Sequence, residues 1–127
     1  MTAPAQGVSE ASVATVDDLL RAHCVHATDA LEAAAAARLL ALLPGWTLDD
    51  GRLCKTYRFD DYYATLAYVN ALAYVTHAQD HHPELTVRYR ECAVRYDTHS
   101  VNGGKGGLSL NDFICAAKAD AIIQGQA

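Results

Sequence analysis

Apolar residues along this chain switch between helical and strand spacing. Leu31, Leu39, Leu40, Leu42 and Leu43 recur at helical intervals around the alanine run Ala33 to Ala37, where alanine serves helix propensity and close packing. Asp29, with Glu32 three residues on, predicts the cap of that helix, and Pro44-Gly45 predicts its end. Trp46 to Leu48 and Leu53 to Phe59 then flank Asp49-Asp50-Gly51, which reads as a turn between two strands. Asp60 or Asp61 starts a second helix. Its residues Tyr62, Leu66, Val69 and Ala73, widened by Tyr68, Leu72 and Val75, form an apolar face suited to lie on a sheet. Pro83 disfavours helical angles in the residue before it, so this helix should end near His82, with His81 as its last residue or nearly so.

Two alternating segments follow, "ELTVRYR" and "CAVRYDTH". A turn at Arg90-Glu91 would pair Tyr89 with Cys92, Val87 with Val94 and Leu85 with Tyr96, and would set His82 opposite His99. Arg-Glu is poor chemistry for a two-residue turn compared with Asn-Gly. The glycine-rich stretch "SVNGGKGGLSLND" lacks the Gly-Lys-Ser/Thr ending of a phosphate loop and reads as a flexible connector. Ser109 and Asp112 predict the cap of a last helix, Phe113 to Ile123, with Phe113, Ala116, Ala117 and Ala121 inward.

The predicted order is α-β-β-α-β-β-α: an α+β fold with a four-stranded antiparallel sheet and helices packed on one face. Residues 1–15 are small and polar without periodicity and are expected as a flexible tail, leaving 16–127 as a single domain.

Composition narrows the function. A net charge of -5 with only 10 Lys and Arg disfavours nucleic acid as a direct ligand. No run approaches the roughly 20 apolar residues needed to span a bilayer, and the N-terminal segment has neither the basic nor the apolar region of a signal peptide, so a cytoplasmic protein is expected. Cys24, Cys54, Cys92 and Cys115 are widely separated without a CxxC pair and are expected as reduced, mostly buried thiols.

The chemistry concentrates at Asp80-His81-His82-Pro83-Glu84. Three readings compete there. His77 and His81 share a helix face, and "HAQDH" approaches the HxxEH of some zinc peptidases. Against a metal, adjacent histidines diverge, Asp80 replaces the Glu, and no carboxylate follows at matching spacing. A second reading is acid/base catalysis, since an imidazole near pKa 6.5 exchanges protons at neutral pH. The third is that a histidine at a helix end only caps carbonyls. Local arguments that bring His81, His82 and His99 together favour the second.

"DHHP" at Asp80 to Pro83, Tyr89 six residues after the proline, His99 ten after that tyrosine, and a later Asp resemble the signature of the pterin-4a-carbinolamine dehydratases. "DLLRAHC", "LLPGW", "KTYRFDDYYATLAYVNALA", "THSVNG" and "NDFICAAKAD" extend the resemblance over about residues 17 to 123.

The resemblance implies a hydro-lyase that needs no metal or organic cofactor. It would convert 4a-hydroxy-tetrahydropterin to quinonoid dihydropterin and water, recycling the cofactor of aromatic amino acid hydroxylases. It implies catalysis by His81, His82 and His99, with acid and base unassigned, and pterin binding by Trp46, His77, Asp80, Pro83, Thr98, Ser100 and Asp112. It also implies a homodimer or homotetramer. The alternatives are a non-catalytic partner-stabilising protein and, behind it, a histidine-based metal hydrolase. The chain departs from the pattern in three places: His77 stands where Glu is usual, Leu85 replaces an aromatic residue, and the glycine-rich stretch is longer by about four residues.

Overall fold

A computed structural model describes residues 8–124. Its elements are α1 (Val16–Arg21), α2 (Ala33–Leu40), β1 (Thr47–Asp49), β2 (Arg52–Arg58), α3 (Tyr62–Gln79), β3 (Glu84–Val87), β4 (Glu91–Tyr96) and α4 (Leu110–Gln124). The four strands form one antiparallel sheet in the order β1-β2-β4-β3. The α+β class and the four-stranded sheet are as the pattern predicts. One short helix, α1, comes in addition. Among the described residues no helix is long and apolar enough to cross a membrane.

The sheet is two-sided in chemistry. Leu53, Tyr57, Cys92, Val94 and Tyr96 alternate onto the buried face. The other face carries ion pairs such as Arg95 Nε to Glu84 Oε1 at 2.8 Å and Arg58 Nη1 to Glu91 Oε2 at 2.6 Å. Helices therefore cover only the apolar face. α4 is apolar on nearly every side because it is the central helix, touching α1, α3, β2 and β4. The Tyr68 hydroxyl donates to the Ala119 carbonyl at 3.0 Å and fixes α3 against it.

Local signals account for several boundaries. Asp50 and Gly51, both at positive φ (52° and 72°), form the two-residue turn between β1 and β2, the backbone geometry an Asp-Gly pair favours. Asp61, not Asp60, caps α3 by accepting the Ala64 N–H at 2.8 Å. At α4 the Asp112 carboxylate accepts the Ser109 N–H at 2.9 Å while the Ser109 hydroxyl accepts from Asn111 N at 3.2 Å, so the helix begins at Leu110 rather than Phe113.

Other expectations are corrected. The N-cap of α2 is Glu32 without a side-chain bond, not Asp29, because Leu31 N is drawn off to the Leu108 carbonyl at 2.8 Å. The stripe expected on α3 is rotated: Thr65, Tyr68, Leu72 and Gln79 are buried, whereas Tyr62 and Ala73 are exposed. The expected tail is too long, since Glu10–Ser12 makes a 3-10 turn and Val13 is buried in the core; residues 1–7 lie outside the described residues. The glycine-rich connector is tied down by a bridge between Thr98 and Gly107, with N–H to O distances of 2.7 and 3.2 Å. A Cβ at Gly107 would stand 2.7 Å from Asn102 Nδ2 and 3.2 Å from Val101 Cγ2, so a larger residue would displace the Asn102 amide from the Gly106 carbonyl.

The β3-β4 register is shifted by two residues. Leu85 pairs with Val94 and Val87 with Cys92, and the chain reverses over Tyr89 and Arg90. Shifting by two keeps every side chain on its face, so hydrophobic alternation cannot tell the two registers apart. Tertiary bonds decide it. Phe59 N donates to the Arg90 carbonyl at 2.8 Å and Thr65 Oγ1 to the Tyr89 carbonyl at 3.0 Å, which holds the turn against β2 and α3.

Candidate active site

α3 ends at Gln79, four residues before Pro83. Asp80 takes left-handed angles (φ 49°, ψ 44°); its N–H bonds the His77 carbonyl and the His81 N–H bonds the Thr76 carbonyl, a double closure of the last turn. His81 is thus two residues past the helix rather than its last residue. The reversal at Asp80 turns the following segment inward, and Pro83 prevents the helix from resuming.

His81 enters a buried polar cluster. Its Nε2 lies 2.6 Å from Asp112 Oδ1, and its ring stacks parallel to Tyr96 at 5.9 Å. Asp112 is fully buried and also accepts from Thr98 Oγ1 and Ser109 N, both at 2.9 Å. Burial by itself pulls the His81 pKa down. The hydrogen bond and charge of Asp112 outweigh it, and the net shift is upward. His81 is therefore biased toward the imidazolium form, with Nδ1 left for a ligand.

His82 and His99 have the opposite character. Their side chains are 71% and 88% exposed, which leaves both rings in contact with bulk water. Each has a carboxylate two residues before it: Asp80 Oδ1 is 3.9 Å from His82 Nε2, and Asp97 Oδ1 is 3.4 Å from His99 Nε2. Pairs this exposed orient weakly. The ladder ends at Glu84 with Arg95, and its register continued outward would set His82 opposite Asp97, so the expected cross-strand pairing of His82 with His99 is corrected. Both rings nevertheless line one cavity.

That cavity has a volume of about 400 Å³. Asp80, His81, His82, Thr98, His99 and Ser100 line it, as expected from the sequence. Four expected residues do not. Asp112 stands behind His81; Pro83 is at the margin of the segment; His77 is exposed one helical turn earlier. Trp46 is in the core, 4% exposed, where its Nε1 donates to Asp120 Oδ2 at 3.1 Å. A groove of about 510 Å³ bounded by Arg58, Phe59 and Arg88 to Glu91 contains no histidine, and one of about 420 Å³ beside Leu31 and Ile114 contains only His23. Among the described residues no group of three or more His, Cys, Asp and Glu is arranged to hold a metal ion.

Sequence reasoning missed one whole wall. Cys24, Val25, His26 and Ala27 line the cavity from an irregular segment, joined by Gln79, Asp97 and Asn111. The segment has no periodicity to betray it. Buried amides hold it instead: Gln79 Oε1 accepts the Cys24 N–H at 2.8 Å, while Asn111 accepts from Val25 N at 3.2 Å and donates to Val25 O at 2.6 Å. Asp97 did leave a signal, because Asp-x-His occurs twice, at Asp80 to His82 and at Asp97 to His99.

His81, His82 and His99, the histidines of the sequence signature, line one cavity. A family model described as pterin 4 alpha carbinolamine dehydratase matches residues 29–122. The chain belongs to this family. Relatives named for pterin-4-alpha-carbinolamine dehydratase include one from Bdellovibrio bacteriovorus, 47% identical over 109 residues, covering 86% of this chain and 91% of the relative. Another, from Xanthomonas campestris pv. campestris, is 51% identical over 110 residues, covering 83% and 90%. A solved structure of a transcriptional coactivator/pterin dehydratase from Brucella melitensis superposes with a TM-score of 0.68 at 26% identity, over 74% of this chain and 98% of its own. The pterin-dehydratase family model starts at residue 29, so the wall carrying Cys24 and His26 precedes the matched region.

Proposed function

We propose that this protein is a hydro-lyase that dehydrates 4a-hydroxy-tetrahydropterin to quinonoid dihydropterin and water. The observation that carries the reading is the convergence on one cavity of His81, buried against Asp112, with the exposed His82 and His99. In the reaction the C4a hydroxyl leaves as water on receiving a proton, and a base removes the proton from N5. His82 and His99, open to solvent, supply acid and base and re-equilibrate between turnovers. His81, clamped by Asp112, presents a fixed donor that orients the pterin. Thr98 and Ser100 border the ring site, and Asp80 and Asp97 add a weak orienting pull on the two exposed imidazoles.

No metal or organic cofactor has a role in this mechanism. The physiological setting is recycling of the pterin cofactor of an aromatic amino acid hydroxylase in the cytoplasm. A homodimer or homotetramer fits the exposed tyrosines of α3, Tyr63 and Tyr74, which are 79% and 81% accessible.

Stopped-flow dehydration of 4a-hydroxy-tetrahydropterin tests the assignment. Acceleration unaffected by chelator is expected, with His82→Ala and His99→Ala each slowing turnover by about 10²-fold or more. Loss of activity on metal removal, or two unimpaired histidine variants, would overturn it.

A further inference from the structure

Two of the four cysteines meet at the cavity wall. Cys24 Sγ and Cys115 Sγ are 3.5 Å apart although 91 positions separate them in sequence. Cys24 lines the cavity, so solutes reach it, whereas Cys115 is fully buried on α4. The other two thiols have no such partner: Cys54 is on the open face of the sheet and Cys92 is in the core.

We infer that Cys24 is an oxidation site for hydrogen peroxide and that Cys115 resolves it into an intramolecular disulfide on the cavity wall. The Cys24 thiolate attacks one peroxide oxygen; the O–O bond breaks, and sulfenic acid and water form once the released hydroxide takes a proton. The Cys115 thiol then gives up its proton and attacks the Cys24 sulfur; the S–S bond forms and a second water leaves. Two thiols are oxidised and one peroxide is reduced to two waters.

The local chemistry assigns these roles. The hydrogen bond from Cys115 lowers the Cys24 pKa against the opposing effect of burial, with further help from the His81 charge. Cys115 is shifted the other way by that same bond and by burial, as befits a resolving thiol that reacts second. The Tyr96 hydroxyl, buried and without a hydrogen-bond partner among the described residues, is within electrostatic reach of both sulfurs.

Closure from 3.5 Å to the roughly 2.05 Å of a disulfide needs a movement of about 1.5 Å. α4 is packed on nearly all sides, so the irregular segment yields. That segment carries Val25, His26 and Ala27, and its shift strains the Gln79 and Asn111 bonds that fix the wall. Oxidation thereby reshapes the cavity. This consequence for turnover rests on the dehydratase reading; the disulfide itself does not.

The test treats the full-length reduced protein with a few equivalents of hydrogen peroxide. Titratable thiols, counted after denaturation, are expected to fall from four to two. A non-reducing tryptic digest is expected to join peptide 22–38, which contains only Cys24, to peptide 106–118, which contains only Cys115. In Cys115→Ala, Cys24 should persist as a sulfenic acid captured by a cyclic 1,3-diketone. Four surviving thiols, preferential loss of Cys54, or a cross-link between other peptides would overturn the proposal. Dehydratase assays on reduced, oxidised and re-reduced protein should show a several-fold KM increase that thiol reductant reverses. An inactive reduced enzyme with the cross-link intact would defeat the functional reading alone, and unchanged kinetics of the cross-linked form would defeat the coupling.

Discussion

α4 holds two acidic side chains eight positions apart that look alike and do different work. Asp112, near its start, accepts hydrogen bonds from His81, Thr98 and Ser109. Asp120, two turns on, accepts from Tyr57 at 2.5 Å, Lys55 at 2.8 Å and Trp46 at 3.1 Å. Both carboxylates are saturated with donors, as buried charges require. The partners differ in chemistry. Lys55 Nζ also rests 4.9 Å from the Tyr57 ring centre. The Asp120 cluster is thus a fixed clamp between β2 and α4. Asp112 faces an imidazole that lines the cavity, so its charge sets the protonation of a group that a ligand meets. Burial and hydrogen-bond count do not distinguish these two acids; the partner does.

The comparison breaks first, and most visibly, in stability. Asp120→Ala leaves the Lys55 ammonium without its anion and is expected to cost about 3 kcal/mol, at the lower end for a buried pair because Lys55 is 23% exposed. Urea denaturation measures this, and turnover of the folded fraction should change little. If turnover instead collapses in fully folded protein, Asp120 is not merely a clamp.

Asp112→Asn should do the reverse in kind. A loss of about 10²-fold in kcat is expected, together with a fall in the His81 pKa read by NMR titration. An unchanged His81 titration in the variant would separate Asp112 from the proton chemistry.

The pair also gives stability a pH dependence of definite sign. His81 has a folded-state pKa above its unfolded value of about 6.5, so the stabilisation is fully present below about pH 6.5 and is lost as pH rises through the folded value. The gap in urea midpoint between wild type and His81→Gln should therefore be wider near pH 6 than near pH 9. A gap that widens with pH would show that the neutral ring is the favoured form.

The smallest effect is Trp46→Phe, which removes one hydrogen bond to Asp120 and should cost about 1 kcal/mol with KM unchanged. A tenfold rise in KM would return Trp46 to the pterin pocket.

Legibility in the sequence followed the range of the interactions. Asp61, Asp50-Gly51, and Ser109 with Asp112 act through neighbours within a few positions, and each appears where local chemistry predicts it. The histidine constellation was legible because its signature spans short, motif-bearing segments. The pairing of His82 with His99 was not, since two registers satisfy the same alternation and only the contacts of Phe59 and Thr65 choose between them. Trp46 could serve equally as a flat wall or a core ring until Asp120 was seen to hold its indole.

By itself the sequence determined the class of fold, the strand periods and the caps of α3 and α4, because period and capping depend on short-range sterics and hydrogen bonding, and it marked the histidines that meet at the cavity. Tertiary structure decided the rest. It chose the β3-β4 register, set Asp112 behind His81 and Asp120 under Lys55, and brought the segment from Cys24 to Ala27 across the cavity. Each of these depends on side chains 14 to 91 positions apart, and no local pattern encodes a partner that distant.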